Sequence, residues 1–371
     1  MLVSLAVGTV LMGAAVDIFS RSMSATWVSS QKTEMQQDAR AALNIMTKDI
    51  RMAGGGLPTG GMALASGTAF SPAYGLDLTG AGHLGATNSS GLNFPTLGGI
   101  PYLYGVIPGW QKGVKPTGNP TATDIITVAY VDLNFPLQDY QIQFNDVNGN
   151  SVTFTSTNPA DPAINNPGVG LQQGDLVLFQ AQRIVGGSST TSYALADITT
   201  AAGGGGGPSY TVLFANNDVM KINQNSATAN DLKQIVSNVG RTANSTIAKR
   251  VWLVTYYLWN EPNPAGGNPI PVLMRQVNAR TPVPVAENVT NLQFLYDTYD
   301  TLGNLQYEQG DGGQSLGVSP NEIRTIKISH LTFRSQLPGT RSAYVATKGY
   351  QSYDLQSTLS ARNLSFSDRY H

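Results

Sequence analysis

Two hydrophobic patterns follow each other in the first 53 residues, with no helix breaker between them. From Met1 to Phe19 the residues are apolar or small, apart from Ser4, Thr9 and Asp17. Further along, apolar residues recur at steps of three, four and seven, the period of one helical face. These residues are Val28, Met35, Ala39, Ala42, Met46, Ile50 and Ala53. The two patterns together predict one helix of ~78 Å, because each residue adds about 1.5 Å.

The two halves of this helix suit different surroundings. The run from Met1 to Phe19 would be ~28 Å long, close to the hydrocarbon thickness of a bilayer. We therefore expect residues 1–19 to lie in a membrane or in a filament core, and residues 28–53 to pack on a folded domain. A secretory signal would need basic residues before Leu2, and none is present. A buried core helix has no reason to become more polar along its length.

Residues 54–371 have a different composition from the helix. Gly54 to Gly56 and then Pro58 predict its end. Of the 40 glycines only Gly8 and Gly13 precede this point, and all 20 prolines follow it, which indicates a turn-rich, β-rich domain. Alternating or β-branched runs predict strands at Asp124–Val131, Tyr140–Phe144, Val152–Phe154, Asp175–Ala181, Tyr210–Phe214, Arg250–Leu258, Val272–Val277, Val289–Tyr296 and Arg324–Phe333.

Local signals refine this picture. Asn148-Gly149 predicts a two-residue hairpin turn, Asn230–Val239 a short helix, and Gly203–Gly207 a flexible loop. The expected fold class is α+β: a long N-terminal helix packed on an antiparallel β-sheet, with large loop and strand insertions.

Composition excludes several classes of protein. The net charge is -1 and 12% of residues are charged, so no basic surface is predicted for nucleic acid. The chain has no cysteine, which rules out disulfides, thiolate metal sites and cysteine nucleophiles within it.

Candidate chemistry is sparse. Asp146, Asn148 and Asn150 resemble the opening of a calcium loop, but the glycine comes too early for an EF-hand and no closing glutamate follows. Gly80–Gly85 spells GxGxxG without a following helix to hold a pyrophosphate. The three histidines, His83, His330 and His371, have no metal-ligand spacing. We expect no catalytic residue, no cofactor, no metal site and no enzymatic activity.

The densest aromatic cluster allows two interpretations. Trp252, Tyr256, Tyr257 and Trp259 are close in sequence. A ligand platform is one interpretation, and packing on the faces of a strand is the favoured one.

Several segments resemble a known family. Leu2–Gly8 looks like the start of a type IV prepilin N-terminal segment. The helical stretches Gln37–Leu43 and Lys48–Gly54 resemble the PilW family of minor pilins. Later segments resemble the strands of that family in the same order, while residues 60–249 are left uncovered. These later segments are Trp252–Leu258, Leu273–Val277, Ala286–Phe294, Arg324–Ser335 and Leu359–Leu364.

The resemblance implies a structural minor pilin that takes part in type IV pilus assembly. It would sit in the bacterial inner membrane by its N-terminal helix, with residues 54–371 outside the cytoplasm, and then enter a filament at the cell surface. Its partners would be other pilins, the inner-membrane assembly platform and the lipid bilayer. The residues expected to pack in membrane or filament are Leu2, Leu5, Ala6, Gly8, Leu11, Gly13 and Ala14; small residues among them allow close helix approach. Those expected to dock the domain are Val28, Met35, Ala39, Ala42, Met46 and Ile50.

The N-terminus departs from the family pattern. Prepilins carry a basic leader, a glycine, an aromatic-led segment and a glutamate, and none of these precedes Leu2. Either the true start lies upstream or the protein lacks the processing site, and we expect the first. Two alternatives share the N-terminal membrane anchor: a minor pseudopilin of a type II secretion system, and a membrane-anchored surface adhesin or binding protein that uses residues 60–249.

Overall fold

The computed structural model describes most of the chain. The described residues are 2–65, 94–117, 119–185, 188–201, 208–216, 218, 220–224, 229–241, 245–264, 266–278, 280–300, 302–310, 316, 318–335 and 350–360.

Two α-helices lie in this part of the chain. Helix α1 spans Leu2–Met52 and helix α2 spans Leu232–Val239. Helix α1 ends where Gly54 adopts a φ of 77° and donates its N–H to the Ala129 carbonyl at 2.8 Å, a conformation that favours glycine. Helix α2 begins after Asp231, whose carboxylate accepts the N–H of Gln234 at 2.9 Å as an N-cap.

Seventeen strands, β1 to β17, and two short 3₁₀ turns account for the other regular structure in the described residues. The turns are Leu137–Asp139 and Pro320–Glu322. The strands, in chain order, are Met62–Ala63, Thr96–Leu97, Ile100–Leu103, Val106–Gly109, Ile125–Val131, Gln141–Phe144, Ser151–Thr155, Leu176–Val185, Ser188–Asp197, Ser209–Leu213, Thr246–Glu261, Ile270–Val277, Val283–Glu287, Val289–Tyr299, Leu305–Gln309, Ile323–Arg334 and Ser352–Ser360.

The strands form four sheets, and every pairing among them is antiparallel. A seven-stranded sheet has the order β13-β12-β11-β5-β4, with β8 beside β11 and β9 beside β8. A four-stranded sheet has the order β15-β14-β16-β17. The two three-stranded sheets have the orders β1-β3-β2 and β10-β7-β6.

Strand β11 organises the largest sheet. Its first half, Thr246–Val251, pairs with β8, and its second half, from Val254 onward, pairs with β12 on the same edge; β5 pairs on the other edge. Between the segments of β11 that pair with β8 and with β12, Leu253 forms two hydrogen bonds of 2.8 Å with Asn278. The sixteen-residue strand therefore joins two parts of the body.

Both faces of β11 are buried, because each contributes to a different core. Val254, Tyr256 and Leu258 point into the core that also contains α1, which we call the helix core. Leu253 and Tyr257 point into a second core beneath β1 and β3. A third core lies between the β10-β7-β6 sheet, α2 and the β8–β9 hairpin.

The expected fold class is wrong. Of the described residues, 41% lie in strands and 22% in helices, so this part of the chain is mostly β, and no single sheet within it forms the platform for α1. Only the C-terminal half of α1 reaches the body, where it contacts β5 and β13 of the seven-stranded sheet and β16 and β17 of the four-stranded sheet. Local patterns could not reveal this arrangement, because the partners of each strand lie far away in sequence.

The predicted two-residue turn at Asn148-Gly149 is also wrong. Phe144 pairs with Val152, so residues 145–150 form the connection. The longer loop is stabilised by Asp146, whose carboxylate accepts the N–H groups of Asn148, Asn150 and Ser151 at 2.8, 3.2 and 2.9 Å. The predicted loop at Gly203–Gly207 lies outside the described residues.

Candidate functional site

The N-terminal half of α1 presents apolar side chains to solvent. Large hydrophobic residues from Val3 to Trp27 are between 42% and 77% exposed. They are Val3, Val7, Val10, Leu11, Met12, Val16, Ile18, Phe19, Met23 and Trp27. Single exposed apolar residues are normal on a protein surface, but a continuous run of this length usually marks an interaction surface. We call this run the exposed helix half.

Four members of the predicted filament set lie on the exposed helix half. Leu11, Gly8, Gly13 and Ala14 are all exposed, and a Cβ atom added at either glycine would have no heavy atom of another element within 4 Å. The side chains of Leu2, Leu5 and Ala6 lie outside the described ones. The glycines therefore leave room for close approach by a second helix.

The second half of α1 is buried in the helix core. Met35 is 8% exposed, and Ala39, Ala42, Met46 and Ile50 are 1% exposed or less. Val28 is half-buried and precedes the core. The predicted docking residues thus lie in the core from Met35 onward. The same helix is covered by the body at one end and uncovered at the other.

One acidic residue interrupts the buried stripe. Asp49 lies three residues after Met46 and is 6% exposed. The Tyr130 and Tyr256 hydroxyls donate to its carboxylate at 3.0 and 2.5 Å, and the Arg275 guanidinium donates at 2.7 Å. These partners come from β5, β11 and β12, so Asp49 joins α1 to three adjacent strands of the seven-stranded sheet. We call this group the Asp49 cluster.

The Asp49 cluster shifts the ionisation of its members. Burial and then the negative charge of Asp49 raise the pKa values of Tyr130 and Tyr256 above their usual range. Burial lowers the pKa of Arg275, but its hydrogen bond to Asp49 and the attraction between the two charges raise it by more. Both tyrosines therefore stay neutral donors and Arg275 stays charged at physiological pH.

The sequence patterns did not single out the Asp49 cluster. The spacing of Asp49 is the one sequence signal for its position: it lies seven residues after Ala42, on the same helical face as the apolar stripe. Its partners Tyr130, Tyr256 and Arg275 carried no local signal, because they are brought to the helix by non-local strand pairing.

A second buried acidic group lies near the end of β9. Asp218 accepts the N–H groups of Ile222 and Asn223 at 2.7 and 3.1 Å, and the Asn223 amide in turn bonds the backbone of Asp197. Burial raises the pKa of Asp218 to about 6, and its backbone hydrogen bonds offset only part of the effect. Burial, together with the charges of Asp218 and Asp175, raises the pKa of Asp197 strongly. The Asp218 carboxyl therefore orders the loop that contains Ile222 and Asn223.

The predicted calcium-loop residues form hydrogen bonds that stabilise the backbone of the β6–β7 connection. Both carboxylate oxygens of Asp146 accept backbone N–H groups, including those of Asn148 and Asn150. Among the described residues, no group of three or more histidine, cysteine, aspartate or glutamate side chains is placed to hold a metal ion.

The aromatic cluster is divided between the two faces of β11. Tyr256 and Tyr257 are fully buried on opposite faces. Trp252 lies between two guanidiniums, 4.5 Å from that of Arg250 and 5.0 Å from that of Arg280. These contacts are packing contacts, and the cluster does not form one platform.

Of the three histidines, only His330 lies in the described residues. His330 pairs with Asp354 at 3.0 Å, and His83, His371 and the Gly80–Gly85 motif lie outside that part of the chain.

Comparisons with known proteins do not identify this chain. Searches of protein-family models, of curated proteins and of solved structures found no match. No helix in the described residues combines the length and mean hydropathy of a membrane span.

Proposed function

We propose that this protein is a structural subunit of a type IV pilus, a minor pilin of the PilW type. The exposed helix half supports this proposal: it is apolar, uncovered, and continuous with a helix whose other half is buried in a β-rich body. In a filament, helices of neighbouring subunits would cover it. The proposal rests on α1 and on the family resemblance of the sequence, and not on the sheet architecture.

The driving force for assembly is the burial of side chains such as Val10, Val16 and Phe19. Removing apolar surface from water contributes about 25 cal/mol per Å². Gly8 and Gly13 would let helix backbones approach closely and gain packing contacts. The body then decorates the outside of the filament, and the role is mechanical, without a catalytic step. The inner-membrane location before assembly stays a prediction.

A charged substitution on the exposed helix half tests the function. Val16→Glu should lower the amount of protein in sheared filaments about tenfold or more, because a carboxylate would be buried among apolar helices; tenfold corresponds to roughly 1.4 kcal/mol. The measurement is the ratio of filament-bound to total protein by immunoblot in the native host.

Leu133→Glu is the matched control for this experiment. Leu133 is 81% exposed on the body, whereas Val16 is 63% exposed on the helix, so neither change disturbs the fold of the isolated subunit. Equal filament recovery of the two variants would contradict the proposed function.

A further inference from the structure

Helix α1 carries two groups of opposite charge where it meets the body. Glu34 and Asp38 line a cleft of about 350 Å³ between the helix and the end of β13, together with Glu287. We call it the acidic cleft. Further along, Lys48 and Arg51 line a groove of about 440 Å³ between the helix and β17. We call it the basic groove.

The acidic cleft is shaped for a long cationic side chain. Its lining includes the buried apolar residues Met35, Ala286 and Phe333, and its carboxylates are exposed. Lysine and arginine bury an aliphatic stem on apolar surface while the charged end stays near polar groups. One cation, Arg334, also lines the cleft, and its guanidinium stacks over the Tyr350 ring at 4.4 Å. Three carboxylates thus share the cleft with one guanidinium, so the charged groups of the lining are net negative.

The charges on both surfaces are available to a partner. Within the described residues, Glu34, Asp38, Glu287, Lys48 and Arg51 form no ion pair. The ion pairs of α1 in that part of the chain are Asp17 with Arg21 and Asp49 with Arg275. Each surface is therefore complementary in charge to the other, but the two cannot meet within one subunit.

We propose that the acidic cleft of one subunit receives Lys48 and Arg51 of a second copy of this chain. The centres of the two surfaces are about 13 residues apart along α1, so parallel copies would be staggered by about 20 Å. They also lie on different faces of the helix, since successive residues rotate by about 100°. A staggered head-to-tail contact of this kind does not close into a dimer and repeats along a helical assembly.

This contact deepens the proposed function, since it assigns the register in which subunits pack in the filament. It uses the base of the helix and the body, and is independent of the exposed helix half. An experiment can therefore disprove this contact without disproving the proposed function, and the reverse.

Cysteine crosslinking tests the contact directly, because the native chain has no cysteine. Gln31→Cys places a thiol at the acidic cleft, and Asn44→Cys places one at the basic groove, with every charge retained. Full-length chains with different tags are mixed in detergent micelles, which cover the exposed helix half, and then oxidised. The heterologous disulfide should exceed either homologous one at least fivefold and should decrease in high salt.

A charge exchange provides the matched control. Asp38→Lys added to the Gln31→Cys chain should reduce the crosslink at least fivefold, and Lys48→Asp added to the Asn44→Cys chain should restore it. Equal yields of the heterologous and the two homologous disulfides would overturn the proposed contact. A loss of crosslinking with Asp38→Lys that Lys48→Asp does not restore would overturn it as well. Normal filament incorporation of the wild type, with failure of Val16→Glu, would then leave the proposed function standing.

Discussion

At the residue scale, Asp49 determines how α1 attaches to the body. Apolar stripes permit several sliding positions of a helix on a sheet, since methyl groups impose little directionality. A carboxylate that accepts bonds from Tyr130, Tyr256 and Arg275 permits one position. A buried charge of this kind stabilises the fold only while its partners are complete.

Asp49→Asn should lower the free energy of unfolding by about 3 kcal/mol. The substitution keeps the size of the side chain but leaves the half-buried Arg275 without a counter-charge, the situation in which buried pairs are most destabilising. The measurement is the shift of the urea midpoint. Asp38→Asn, on the exposed side of the same helix, should change stability by less than about 0.5 kcal/mol. Equal midpoints for the two variants would contradict the anchoring role.

Asp218 should make stability depend on pH. Its pKa is about 6 in the folded protein against an ordinary value of 3.8, so the folded state binds more protons between these values. The free energy of unfolding therefore falls as the pH rises from about 4 to about 6, by about 3 kcal/mol for this group. Below pH 4 the carboxyl is protonated in both states and its contribution is constant.

Asp218→Asn removes this ionisation. Relative to the wild type, the variant should gain about 3 kcal/mol or more between pH 4 and pH 7. Loss of the Asp218 charge also weakens the upward shift of the Asp197 pKa, and this acts in the same direction. Urea midpoints across this pH range measure the difference. A difference that stays constant with pH would show that Asp218 ionises normally in the fold.

At the element scale, the sequence carried strong signals for the helices and for most strands. The period of the apolar stripe from Met35 to Ile50 matches the buried face of α1, and β5, β11, β14 and β16 lie at or near the segments with alternating or β-branched residues. Eight of the described strands were not predicted: β1 to β4, β9, β13, β15 and β17. Strand β9 was missed because Ser188–Asp197 begins with polar residues on an exposed edge. The β6–β7 turn was predicted too short, since the turn signal at Asn148-Gly149 was outweighed by the bonds of Asp146.

Met46→Lys should detach α1 from the body or unfold it. Met46 is fully buried in the helix core, and a lysine there would be desolvated without a partner, at a cost of several kcal/mol. Limited proteolysis after residue 54 and the urea midpoint both report the effect. Ile45→Lys is the neighbouring control, because Ile45 is 43% exposed. Equal protease resistance of the two variants would contradict this packing.

At the scale of the whole molecule, pairings between distant segments decide the architecture. Strand β5 pairs with β11 more than 100 residues later, and α1 contacts strands of two sheets. The periodicity of one segment does not indicate which distant segment it pairs with. For this reason the expected single sheet was wrong. Likewise, the exposed helix half could be anticipated as an apolar run, whereas the acidic cleft required the helix and β13 to meet.

The proposed function requires above all that other helices cover the exposed helix half in an assembly. Thiol labelling of single-cysteine variants measures this, without background from the cysteine-free wild type. Val16→Cys should react with a maleimide about tenfold more slowly in intact filaments than after dispersal in denaturing detergent, while Leu133→Cys should react equally fast in both. Equal labelling of Val16→Cys in the two states would contradict the account.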